Sequence, residues 1–278
     1  MKGRATRWAS ALVVAIVCAG IAAGAVEGRQ ASLDERVVSV ALAGEVHVRV
    51  VLPPGYAASS TRYPVVYFLH GLPADSSAYR NRWLARVFAH VGPSILVEPQ
   101  GARDGDRDPE YLDWGHGRNW ATYVSEELPE YVDSHFRTIT ARRGRALIGL
   151  SAGGYRAAML GINNLDRFSV IESWSGYFHP TDPTGTRGID GGPGSNVHRL
   201  IASLRHDEQL RPTFLAFYVG RGDARFRSEN EQFARELSAA HIPHVFAVYA
   251  GAHEATLWRR HAKSWVKLAL AHLVRPAP

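Results

Sequence analysis

The sequence predicts an α/β fold in which a mostly parallel central sheet carries helices on both faces. Two observations lead there. The runs 63–69 (YPVVYFL), 146–148 (ALI) and 212–219 (PTFLAFYV) are continuously apolar rather than alternating, as strands covered on both faces must be. Helical patterns fall between such runs, and that alternation is the mark of parallel strands joined by crossover helices.

The 278 residues are 46% hydrophobic and include 26 Gly and 15 Pro, which suits one large domain, expected over residues 26–278. The formal charge of +6 invites a nucleic-acid reading. Lys2, Arg4 and Arg7 supply three of those charges, though, and the remaining arginines are scattered among acids. Neither a nucleic-acid partner nor a membrane surface is expected. Residues 1–25 have a basic start, an apolar run from Ala9 to Ala23 and an A-x-A site at Ala23, Gly24 and Ala25. This layout predicts a secretory signal peptide, a secreted or extracytoplasmic mature chain and no membrane span in it. Cys18 is the only cysteine and lies in that segment, so the mature chain is expected to have no disulfide and no thiolate site.

In chain order, residues 35–52 alternate Val46, Val48 and Val50 with His47 and Arg49, which predicts an antiparallel edge pair with His47 on the solvent side. The run 63–69 is a central strand ending in His70, Gly71 and Leu72. A helix is expected over 77–90, a strand over 94–98, and then a long loop over 99–119. Tyr111, Trp114, Arg118 and Trp120 of that region are candidates for a wall over the site. The acids Asp104, Asp106, Asp108 and Glu110 lack the glycine and terminal glutamate of a calcium loop and read as a solvated turn, so no metal is expected. A helix kinked near Pro129 is predicted over 123–136, and a strand over 168–174 brings Trp174 and Tyr177 towards the substrate side. Residues 179–196, rich in Pro and Gly, read as a loop or lid, and 197–210 as a helix.

The stretch 145–155, RALIGLSAGGY, is where the chemistry centres. A buried strand turns sharply into a helix there, and Gly149, Leu150, Ser151, Ala152 and Gly153 fit a G-x-S-x-G nucleophile elbow. Glycines flank the serine because a side chain at either place would collide at so tight a bend. The backbone N–H groups of Ala152 and Leu72 occupy the two positions from which an oxyanion is held in elbow hydrolases. His70 reads as a structural residue of that loop. Asp223 follows the strand 212–219, and His253 follows the strand 245–249 after one more helix and strand. The order serine, acid, histidine therefore puts Asp223 in the place of the acid that orients His253, with Glu229 and Glu231 of the following helix as the rival acids, and His253 in the place of the general base on Ser151.

These motifs resemble the esterase D and antigen 85-like branch of the α/β hydrolases, which includes feruloyl esterases and S-formylglutathione hydrolases. The resemblance runs from about Val37 to Leu273 through LHG at 69–71, SEELPEYVD, GLSAGGY at 149–155, SWSGYF at 173–178, GRGD at 220–223 and GAHE with Trp258. It implies the α/β-hydrolase fold and a serine esterase of the feruloyl type, which the signal segment would make an exported one, with Ser151, Asp223 and His253 as triad and Leu72 and Ala152 as oxyanion donors. The resemblance does not name a substrate; a small-molecule or carbohydrate-linked ester is expected, and no cofactor. Trp114, Trp120, Trp174 and Tyr177 are the candidate substrate contacts. Acyl transfer of the mycolyltransferase type, favoured by a water-excluding lid over 179–196, and a non-catalytic secreted binding protein are the alternatives.

Overall fold

The strand runs expected from the sequence assemble into an eight-stranded sheet in the computed structural model, which describes residues 30–72, 74–80, 82–105, 111–182 and 187–277. The expected signal segment and the acids Asp106, Asp108 and Glu110 lie outside the described residues. Strands β1 (Ala31–Ser39) and β2 (Gly44–Leu52) pair antiparallel at one edge, and β2 pairs antiparallel with β4 (Ile95–Pro99). From β4 onward every pairing is parallel, through β3 (Val65–Leu69), β5 (Arg145–Leu150), β6 (Val170–Trp174), β7 (Phe214–Gly220) and β8 (Val245–Tyr249). The order across the sheet is β1-β2-β4-β3-β5-β6-β7-β8.

The apolar runs are continuous because both faces are covered. Along β3, Val65, Tyr67 and Leu69 join one core while Val66 and Phe68 join the other. The first core is filled by α3 (Leu128–His135), α4 (Ala152–Asn163) and α6 (Arg227–Ala239), and the second by α1 (Arg82–Phe88) and α7 (Ala255–Ala271). The connection before α3 begins with the short helix α2 (Trp120–Thr122) and then widens into a π-helical segment, Tyr123–Glu127. Pro129, at the start of α3, has no N–H to give back, so the kink predicted near it takes this form. The segment also delivers Glu127, whose carboxylate accepts from the Ser39 hydroxyl and the Ala41 N–H and fastens the β1–β2 hairpin. Helix α5 (Ile201–Leu210) lies between β6 and β7 in the chain. No helix among the described residues is long and apolar enough to cross a membrane.

Candidate active site

Ser151 sits between β5 and α4 at φ 54° and ψ −122°, a left-handed backbone that a side-chain-bearing residue adopts only when its surroundings impose it. The surroundings do impose it. A β-carbon at Gly149 would lie 2.1 Å from the Gly153 carbonyl oxygen, and one at Gly153 would lie 2.1 Å from the carbonyl oxygen of Leu69. The turn is pinned by the Ser151 N–H, which donates to the Trp174 carbonyl at 2.9 Å. The hydroxyl is thereby held at the C-terminal edge of the parallel strands.

His253 approaches from the end of β8. Its Nε2 is 2.8 Å from Ser151 Oγ, and its Nδ1 is 2.8 Å from Asp223 Oδ2. Close packing of two strand ends sets that geometry. Gly222 N–H donates to the Gly251 carbonyl at 2.8 Å, and a β-carbon at Gly220 would meet that same carbonyl at 2.6 Å. The turn after β7 and the loop after β8 are therefore one packed unit. The imidazole stands edge-on to Trp258 and Phe226, with ring centroids 5.0 and 5.1 Å away. Asp223 is buried, and burial pushes its carboxyl up. The hydrogen bond and charge of His253 and the N–H groups of Phe226 and Arg225 outweigh this and hold it below the usual carboxylate range. An ionised Asp223 accepts from Nδ1–H, which leaves Nε2 with its lone pair facing the serine.

The loop after β3 closes on the same turn. A β-carbon at Gly71 would lie 2.9 Å from both Ser151 Cβ and Leu150 Cδ1, so only glycine lets the loop come this near. Leu72 follows directly, and Ala152 opens α4, where a first-turn N–H has no acceptor within its helix. Neither amide is taken up by another described residue. His70 is buried behind the loop, its Nδ1 3.1 Å from the Gly71 carbonyl oxygen and its N–H donating to Tyr111 Oη. Burial lowers the imidazole to about 4, so it is neutral and suited to structure. Tyr111 lies in the space left by Gly101, where a β-carbon would be 2.1 Å from its ring.

The four aromatic candidates for substrate contact are placed differently. Trp174 is fully buried against Phe68 and Tyr218 on the α7 side, its indole N–H donating to Glu172 at 2.9 Å. Tyr177 is buried in a stack with Tyr155 and Phe226. Trp120 is buried edge-on to Tyr123. None of these three presents a surface to a ligand. Trp114 is half-buried against the first core. A cleft of about 230 Å³ is instead bounded by Gly71, Leu72, Leu150, Trp83, Trp258 and Arg259. Trp83 and Arg259 escaped the sequence reading because they come from α1 and α7, with no motif to single them out.

The described part of 179–196 is no lid over the serine. Tyr155 Oη donates to the Ser195 carbonyl at 2.7 Å, and Asn163 Nδ2 donates to the Gly194 carbonyl at 3.0 Å. The segment thus runs along α4 to the end remote from Ser151. Its start is held by Glu229, which accepts from the Phe178 N–H and lies 2.6 Å from His179 Nδ1 and 3.2 Å from His198 Nε2.

The family model described as "Putative esterase" matches residues 39–262. An esterase of Mycobacterium tuberculosis is 32% identical over 130 residues, which is 46% of this chain and 28% of the relative. The chain thus spans little more than a quarter of the length of that curated relative. Among solved structures, a ferulic acid esterase superposes with a TM-score of 0.75 at 20% identity, covering 88% of this chain and 100% of the other. An S-formylglutathione hydrolase from Staphylococcus aureus gives 0.73 at 19% identity, covering 87% and 99%. Those two likenesses carry the fold, and the family match carries more: the chain belongs to this esterase family, on the α/β-hydrolase fold.

Proposed function

We propose that this esterase is a serine hydrolase that cleaves a carboxylic ester through Ser151, His253 and Asp223. One observation carries the reading: two consecutive 2.8 Å hydrogen bonds run from Asp223 through His253 to a serine held at positive φ. His253 Nε2 takes the hydroxyl proton as Oγ attacks the ester carbonyl, and Asp223 stabilises the imidazolium. The N–H groups of Leu72 and Ala152 receive the oxyanion, a donor pair of which each member is worth about 3 kcal/mol of transition-state stabilisation. His253 returns its proton to the departing alcohol, and a water repeats the sequence to release the acid. No cofactor takes part in this scheme.

The remainder of the reading concerns context. Residues 26–278 act as a single catalytic domain, exported by the signal segment 1–25, on a small-molecule or carbohydrate-linked ester. The comparison proteins named as ferulic acid esterase and S-formylglutathione hydrolase differ in the chemistry they act on, so the acyl and alcohol parts follow from the cleft rather than from the fold. The test is hydrolysis of p-nitrophenyl acetate and butyrate by residues 26–278 beside the Ser151→Ala variant. Activity abolished by the substitution supports the reading. A folded chain whose hydrolysis survives it, or that hydrolyses neither ester, overturns it.

A further inference from the structure

The cleft beside Gly71 and Leu72 does not end at its aromatic wall. Trp83 and Arg259, which bound it, also bound an adjoining groove of about 460 Å³ whose remaining walls are Arg80, Arg82 and Arg86. Four exposed arginines and one half-buried tryptophan therefore line a single groove.

Their pairing is uneven. Arg80 is bonded to Asp34 Oδ2 at 2.8 Å and donates to Tyr79 Oη at 3.0 Å, so its charge is in part compensated. Arg82, Arg86 and Arg259 have no carboxylate partner among the described residues. Arg82 and Arg86 are also four residues apart on α1, a spacing at which like charges repel. A merely solvated surface requires neither a concavity nor a tryptophan at its centre. Arginines that line one groove, three of them without a carboxylate partner among the described residues, match an anion, since the guanidinium fork bonds carboxylate or phosphate oxygens in pairs.

We infer that this groove binds an anionic group, a carboxylate or phosphate, carried by the ester substrate at a distance from the carbonyl that Ser151 attacks. The inference rests on the proposed esterase reading for its chemistry, while the anion site itself rests on the arginines. The substrate class is then an acidic ester rather than a neutral one. Whether the anion belongs to the acyl or to the alcohol part is decided by the substrates of the test.

Three chromogenic esters test it at low ionic strength: neutral p-nitrophenyl butyrate, mono-p-nitrophenyl glutarate with the charge on the acyl part, and 4-butanoyloxy-3-nitrobenzoate with the charge on the alcohol part. The expected result is a kcat/KM about tenfold or more higher for one of the charged esters than for the neutral one, diminishing as salt is added. Arg82→Gln combined with Arg86→Gln is expected to lower that charged-to-neutral ratio about tenfold. A ratio near one, or one that the double substitution leaves in place, overturns the inference. Equilibrium dialysis of mono-p-nitrophenyl glutarate with the Ser151→Ala protein reads the groove without turnover. Binding there that weakens in the arginine variants upholds the anion site even if no ester is hydrolysed, and absence of binding sinks it even if p-nitrophenyl butyrate is hydrolysed.

Discussion

Gly153 approaches Leu69 so closely that a β-carbon on it would lie 2.1 Å from the Leu69 carbonyl oxygen. This contact joins the first turn of α4 to the end of β3, and so joins the turn at Ser151 to the loop that carries Leu72. Backbone cannot yield as a flexible side chain can. Gly153→Ala is expected to destabilise the protein by about 1–3 kcal/mol, read as a fall of several degrees in the thermal midpoint, and to reduce ester hydrolysis through the displaced serine. An unchanged midpoint and rate would show that the two loops are not so coupled.

Asp223→Asn keeps the shape of the site and removes the charge. An amide at this place can donate to Nδ1 and so favour the imidazole form that lacks the lone pair at Nε2. The expected loss in kcat is about 10³–10⁴-fold with little change in KM, measured by steady-state hydrolysis of p-nitrophenyl butyrate. A loss below tenfold would assign the orienting role to another acid.

Glu172 carries its own pH dependence. Burial raises its carboxyl well above the usual range, and the Trp174 N–H counters only in part. The folded chain thus keeps a proton that the unfolded chain releases above about pH 4.5, so stability falls as pH rises, by at most about 1.4 kcal/mol per pH unit from this group. Glu172→Gln is expected to flatten that fall and to raise the thermal midpoint at pH 8 relative to the parent. Parallel melting curves for the two proteins from pH 5 to pH 8 would remove this explanation.

The Glu229 cluster has the opposite dependence on its acid side. Burial would push Glu229 up, yet hydrogen bonds from His179 and His198 hold it at about 2. Its contribution is present above the ordinary carboxylate range and is lost as pH falls towards 2. His198 is raised despite its burial by bonds to Glu229 and Glu236, so its contribution is full below about pH 6.5 and is lost as pH rises through the folded value. The stability difference between the parent and Glu229→Gln is therefore expected to be largest near pH 5–6 and smaller at pH 3 and pH 9. Thermal melts across that range check it, and a flat difference would deny the ion pairing.

The strands and the tight turn at Ser151 were legible because their causes are largely local. Five strands, β3 to β7, are buried on both faces apart from their outermost residues, which leaves continuous apolar runs in the sequence, and Gly149 is dictated by Gly153, four residues on, whereas Gly153 is dictated by the distant end of β3. The positions of Asp223 and His253 followed from the alternation of strands and helices. The aromatic wall did not follow, because a tryptophan near a strand end looks the same whichever face it enters. Trp174 shares a face with Glu172, two residues away, and that face is packed against α7. The course of 187–196 depends on bonds from Tyr155 and Asn163, 40 and 31 residues distant, and no local pattern encodes them. The cleft itself is assembled from the loop after β3, α1 and α7, which meet only in the folded chain.

The most direct test of the central claim is covalent trapping of the nucleophile. Diethyl p-nitrophenyl phosphate is expected to transfer its diethylphosphoryl group to Ser151, with p-nitrophenolate leaving and His253 taking the hydroxyl proton. Intact-protein and peptide mass spectrometry are expected to find one such group per chain, on Ser151, appearing in step with the loss of p-nitrophenyl butyrate hydrolysis and absent from His253→Ala. Full inhibition with the label on another residue, or ester hydrolysis that persists once Ser151 is fully labelled, would contradict the account.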